Sequence, residues 1–321
     1  MSTMSDSDPI PTLGLVGSSR WPQKLHLGWL TCTAAMLAFG VLGGVVTAQS
    51  VGEGDVAAAA GFACLVLVFI GLSILGLGLG GFRSIGLSRR IVQSHDQTYG
   101  RGIEVPTGRY GALLLAAVLA SGAAYGLTAA AVHFAGIAEA LLPEGRDTGG
   151  GAALMALAGS VALVAAVLCI VCRPRTVLGI YPSGVHRRAR QWRRQVFRRS
   201  DLFLAWDDVA SILPDEMVVH TGWADVMHPM IKLATHEALP AEDRLQFDEE
   251  ATATVMAKLF VAEPNTLLAL LQFLKDNPDR RYVLERPDAR ELLRPPPLRE
   301  RFRAARLAKS SGSGMGRPGG V

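Results

Sequence analysis

Four cysteines in 321 residues, Cys32, Cys64, Cys169 and Cys172, are too few and too scattered to form a disulfide framework. Charged residues make up only 19% of the chain against 50% hydrophobic, a balance that excludes a disordered polymer. The 35 glycines follow no three-residue period, so a collagen-like fibre is excluded as well. No HExxH, second CxxC, nucleophile elbow or phosphate loop accompanies them. The sequence therefore predicts no enzyme, no metal and no cofactor.

The most informative absence is local. Residues 27–50, 56–81, 110–136 and 149–172 contain no Asp, Glu, Lys or Arg. Each stretch reaches the roughly 20 apolar residues that a helix needs to cross the hydrocarbon core. Without water the backbone must satisfy itself, so isolated spans are helices. Lys and Arg counts give the orientation. Arg20 and Lys24 precede the first span, and the first loop has no basic residue beside Glu53 and Asp55. The second loop carries Arg83, Arg89, Arg90, Arg101 and Arg109, whereas the third has Arg146 among Glu139, Glu144 and Asp147. After Cys172 come 24 basic residues. This bias predicts a multi-pass protein of the cell membrane with both termini cytoplasmic. Arg20, Lys24 and the small residues Val46-Thr47-Ala48 imitate a signal peptide, but the apolar run exceeds the usual 7–15 residues, so an uncleaved anchor is predicted.

Inside the spans the single ionisable side chain is His133, read as a packing or interfacial residue. The pairs Gly40/Gly44, Gly76/Gly80 and Gly122/Gly126 each lie four apart and predict close helix packing, with a homo-oligomer or a partner helix as a further outlet. Cys169-Ile170-Val171-Cys172 is a lone CxxC and is read as apolar packing.

Beyond Cys172 the composition turns polar, with 24 basic and 19 acidic residues. Residues 176–181, Pro182-Ser183-Gly184 and Val185 onward form a hairpin signature. Further strands are expected at 202–213, 217–221, 230–235 and 252–261. Pro264 suits a first helical position; Leu267, Leu270, Leu271 and Leu274 give one apolar stripe; Asn277-Pro278 ends it. The segments Leu178-Gly179-Ile180-Tyr181-Pro182-Ser183-Gly184-Val185, Leu204-Ala205-Trp206-Asp207-Asp208-Val209 and the helix from Glu263 to Leu274 followed by Asn277-Pro278-Asp279 resemble bacterial pleckstrin-homology-like domains of small actinobacterial membrane proteins. The resemblance covers 173–286 and implies a seven-stranded bent barrel closed by a C-terminal helix. The sequence departs from that pattern by a long insertion after Val185 and by too few strands.

That insertion holds Arg187, Arg188, Arg190, Arg193, Arg194, Arg198 and Arg199, with Trp192 and Phe197 between them. Each basic side chain near an anionic leaflet contributes about 1 kcal/mol, and guanidinium groups bind phosphate in bidentate fashion. The resemblance adds that headgroups are often held near this turn. Anionic lipid is the leading partner, an acidic protein surface the second, and nucleic acid the least favoured. Adjacent Asp207 and Asp208 face opposite sides of a strand and are read as surface charges, and His220, His228 and His236 have no ligand spacing.

The expected fold class is an α-helical membrane bundle of four transmembrane helices plus a cytoplasmic, mostly-β, pleckstrin-homology-like barrel capped by one helix. The expected divisions are a disordered 1–26, spans in 27–172, the barrel in 173–286, and a Pro-rich linker (Arg294-Pro295-Pro296-Pro297), short basic helix and disordered tail in 287–321. The expected function is non-enzymatic binding of anionic lipid headgroups or a protein partner. The alternative is an accessory subunit of a transport or envelope-assembly complex.

Overall fold

The chain is seen in a computed structural model that describes residues 20–23, 25–82, 84–136, 148–173, 175–193, 196–221 and 224–312. It divides into two units. One holds Leu25–Phe82 and Arg109–Arg173; the other holds Arg83–Gly108 and the chain from Pro174, together with the N-terminal segment up to Lys24.

The first unit is four helices: α1 (Leu27–Glu53), α2 (Val56–Leu79), α3 (Tyr110–Ala135) and α4 (Gly149–Val171). All four are long and apolar enough to cross a membrane. Asp55 accepts the N–H of Ala58 and Thr148 that of Gly151, which caps α2 and α4. Gly54 and Gly136, at φ 79° and 63°, end α1 and α3 in the left-handed conformation that glycine tolerates.

Burial in this unit runs opposite to a water-soluble bundle. The buried residues are small (Gly40, Gly43, Ala123, Ala129, Ala152, Gly159), while Leu157 and Val161 stay 63% and 61% exposed. The helices meet through these small residues, which let the backbones approach closely. Gly76 and Gly80 both face α1, where an added Cβ would lie 2.3 Å from Thr33 Oγ1 and 2.7 Å from Leu30 Cδ2. A Cβ on Gly126 would sit 2.9 Å from the Met155 carbonyl oxygen of α4. Gly44 and Gly122 have nothing within 4 Å of such an atom, so only one of the three expected glycine pairs works as a pair within the bundle.

In the second unit, β1 (Val92–Asp96), β2 (Gly100–Pro106), β3 (Arg175–Ile180), β4 (Gly184–Arg193) and β5 (Val196–Ala205) form an antiparallel sheet in that order. A second antiparallel sheet contains β6 (Val209–Thr221), β7 (Ala224–Thr235) and β8 (Thr252–Val255). Helix α5 (Pro264–Asp276) presses Leu267, Leu270, Leu271 and Leu274, all fully buried, onto a core that includes Leu178, Trp206 and Ile231. Pro264 stands at its start, as expected, and the carboxylate of Glu263 accepts the N–H and hydroxyl of Thr266.

Several expected boundaries differ. Strands β1 and β2 come from the loop between α2 and α3, because Ile103 and Val105 are fully buried opposite Ile180 and Leu178 of β3. The expected strand 202–213 is two strands around the turn at Trp206, whose Nε1–H donates to the Tyr181 carbonyl at 2.9 Å; 217–221 continues β6. Of 252–261, only Thr252–Val255 is strand, followed by a 3-10 turn at Ala257–Leu259. The core does not stop at 286. Ala289, Leu292 and Leu293, in the 3-10 turn Ala289–Leu293, are buried in it, and Pro295 of the expected linker is buried as well. Trp21, expected in a disordered N-terminus, is buried and exchanges backbone hydrogen bonds with the Asn265 side chain at 3.0 and 3.1 Å. The basic helix is present as α6 (Leu298–Gly312), held by buried Arg301, which donates to Gln23 Oε1 and to the Ser84 carbonyl. Disorder is expected from Ser310, but α6 continues to Gly312; the expected disorder of 1–19 and of the remaining tail, 313–321, lies outside the described residues.

Candidate functional site

The arginine segment is not a loop inserted between strands. It is the extension of the β4–β5 hairpin, with register running from Gly184↔Ala205 to Arg193↔Val196. Side chains on a strand alternate between faces, so the arginines divide into two groups.

Arg187 shares the inward face with Val185 and Ala189 and is 3% exposed. Its guanidinium donates to both carboxylate oxygens of Asp248, at 2.8 and 2.5 Å, and to the carbonyls of Thr254 and Asp243, each at 3.2 Å. The Asp248 side chain is fully buried and also accepts the N–H groups of Leu245 and Thr254. Each Asp248 oxygen thus accepts two hydrogen bonds, which compensates its burial, while the Nε–H of Arg187 has no partner among the described residues. Arg187 is therefore committed to the interior and does not reach a headgroup, contrary to the sequence expectation.

On the outward face Arg188 pairs with Glu104 of β2, whose carboxylate also accepts the Tyr181 hydroxyl at 3.5 Å. Further along this face, Arg190 and Arg199 stand opposite one another in the ladder and are exposed; Arg198, opposite Gln191, shares the face of Arg187 but is exposed as well. Like charges directly opposed across a ladder repel, a cost that an anion between them offsets. Trp192, Arg193 and Phe197 lie on described strand backbone, but their side chains are outside the described residues, and Arg194 is wholly outside them.

The position of this arginine end within its unit is defined by pairing. Arg175, where β3 begins, opposes Arg190, and Pro106, near the end of β2, opposes Val177. Gly108, where this stretch of the unit ends just before the chain enters α3, donates its N–H to the Leu259 carbonyl. The exposed arginines thus occupy the end of the sheet at which the chain departs for α3 and returns from α4.

The opposite end carries a group of side chains that the sequence reading missed. His186 is buried and pairs through Nε2 with the Asp201 carboxylate; its Nδ1 has no hydrogen-bond partner among the described residues. Tyr99, from the β1–β2 turn, stacks on Phe203 with centroids 4.1 Å apart and meets His186 edge-on at 5.0 Å. Tyr181 lies against two strand glycines, since a Cβ on Gly102 or Gly179 would come within 2.5 Å of its ring. Burial, followed by the nearby Glu104 charge, raises the Tyr181 pKa above its ordinary value. Asp96 accepts the N–H groups of Thr98 and Tyr99, and the first of these bonds does most to hold its carboxyl below the usual range. The glycines at 102 and 179 were the available signal; Tyr181 follows Gly179 by two residues, but Gly102 and Tyr99 reach it only through the pairing of β2 with β3.

Asp207 and Asp208 are exposed in the turn between β5 and β6, as expected of surface charges. Among the described residues no group of three or more His, Cys, Asp or Glu side chains is placed to hold a metal ion, and the four cysteines are unpaired with one another. No known family model matches the chain, and neither a curated protein nor a solved structure does.

Proposed function

We propose that this is a non-enzymatic multi-pass protein of the cell membrane, with both termini cytoplasmic, whose second unit is a pleckstrin-homology-like domain that holds anionic lipid headgroups through Arg190, Arg198 and Arg199. One observation carries the reading: the exposed arginines stand at the end of the sheet where the chain leaves for, and returns from, helices apolar enough to span a bilayer. Side chains at that end are the ones closest in sequence to the membrane exits, so a leaflet's phosphates are their natural counter-ions. The orientation is supported by the arginine-rich second loop, and by its pairing with β3, which requires both segments to lie on one side. The domain identity is supported by strand count. With β1 set aside, the sheets contain four strands and three, followed by α5, and the strand lacking from 173–286 is supplied by β2.

The test is lipid retention. The full chain, purified in mild detergent from anionic membranes, is expected to carry acidic phospholipid that the Arg198→Glu, Arg199→Glu double variant loses, with the fold unchanged. Equal retention by both proteins refutes headgroup binding at this end.

The second reading, an accessory subunit of a transport or envelope-assembly complex, rests on Gly44 and Gly122, the members of the expected glycine pairs at which an added Cβ would meet nothing within 4 Å. A stoichiometric companion protein that survives purification and is displaced by Gly122→Leu favours it. A homo-oligomer through the same faces would instead show as a doubled mass.

A further inference from the structure

Resting on the membrane reading above, we infer that the β6–β7 ribbon is a second, apolar contact with the bilayer, inserting beside the arginine end. Strand β8 pairs with β7 only from Ile231 to Ala234, so residues 224–230 of β7 and the facing part of β6 run on as a ribbon of two strands. At about 3.4 Å per residue this extension is roughly 20 Å long. A two-stranded ribbon has no core of its own and needs something to cover it.

Its direction is set within the unit. Lys258 Nζ donates to the Met227 carbonyl at 3.4 Å, and the next residue, Leu259, accepts the N–H of Gly108. The ribbon therefore extends at the same end as the exit to α3 and the exposed arginines. Its composition is unlike that of a protected edge, where Lys is the common guard. Residues 215–221 and 224–230 contain no Lys or Arg; the carboxylates are Asp215 and Glu216 at the base of the ribbon and Asp225 toward its tip. Val218 and Met227 face each other in the ladder and are 42% and 49% exposed; Val219, on the other face, is 38% exposed, and Leu259 beside the ribbon is 44% exposed. Apolar side chains on both faces of one ribbon suit immersion better than docking of a partner on one side. Guanidinium groups at phosphate depth with apolar side chains some 5–10 Å deeper is the arrangement of interfacial membrane binders.

The experiment uses the full chain with its four cysteines replaced by alanine, reconstituted in nanodiscs of phosphatidylcholine with or without phosphatidylglycerol. A nitroxide is attached at Met227→Cys, at Val219→Cys, or at Asp207→Cys in the turn at the opposite end. The expected result is that collisions with oxygen exceed those with a water-soluble nickel complex several-fold at 227 and 219, and the reverse at 207. Nickel access at 227 and 219 equal to that at 207 overturns the inference. So does shielding from both reagents, the signature of a protein partner or a second copy. The headgroup reading is scored separately by retained phosphatidylglycerol, and immersion at 227 in pure phosphatidylcholine discs would show that the ribbon inserts even where the arginines find no acidic lipid.

Discussion

Arg187 and its neighbours show how little of an arginine's role lies in its charge alone. Arg187 and Arg199 bound a run that reads as one basic cluster, yet Arg187 is inside with Asp248 while alternation turns Arg190 and Arg199 to the other face; Arg198 shares the face of Arg187 but, farther along the hairpin, is exposed. Removing one member of a buried pair strands the other, which costs about 3–5 kcal/mol. Arg187→Ala is therefore expected to lower the thermal melting of the second unit sharply, whereas Arg198→Ala leaves it unchanged within error. Protease resistance of the full chain in detergent, followed against temperature, separates the two. The expectation of Arg187 as a headgroup ligand passed over its parity with Val185 and Ala189, and its partner, 61 residues away, left no local signal. Asp96 gives a pH dependence. Its carboxyl is held below the ordinary value by the Thr98 N–H, so its contribution is complete above the unfolded value of about 4 and is lost as pH falls through the lower folded value. Asp96→Asn should flatten the acid limb of a stability-against-pH series below that value and leave neutral pH untouched; an unchanged acid limb contradicts this.

At the scale of elements, periodicity was sufficient wherever one segment could bury its own face. The four long apolar helices and α5 were legible because twenty uncharged residues, or leucines at helical spacing, each define an element without reference to a partner. Leu270→Ala in α5 should cost about 2–5 kcal/mol, since a fully buried side chain leaves a cavity. Hairpin β1–β2 was not legible: its apolar content is essentially Ile103 and Val105, and they are buried only because β3 arrives from beyond two further helices. Between α3 and α4 the contact is backbone on backbone at Gly126 and Gly159. Gly126→Leu is expected to force those helices apart and lower the detergent melting temperature by several degrees, while Gly122→Leu, placed where a Cβ meets nothing, is tolerated. Equal melting of the two variants would show that the α3–α4 contact does not depend on this glycine.

Across the whole molecule the governing feature is that the second unit is assembled from separated stretches of chain: Trp21, the 84–108 hairpin and everything from β3 onward. A fragment of 174–312 alone leaves the edge of β3 unpaired and its Ile180 and Leu178 without their neighbours, so it should aggregate. Joining 84–108 to 174–312 by a short Gly/Ser linker should restore dispersed amide signals. A well-dispersed spectrum from 174–312 alone would refute the dependence.

The most direct measurement is labelling of single cysteines, in a chain whose own four are replaced by alanine, with a membrane-impermeant maleimide on intact cells. Glu53→Cys, at the end of α1, should react from outside, while Ser94→Cys on β1 and Asp207→Cys should react only after the membrane is opened. Labelling of Ser94→Cys or Asp207→Cys on sealed cells, or protection of Glu53→Cys there, contradicts four spans with the arginine-bearing unit on the cytoplasmic face.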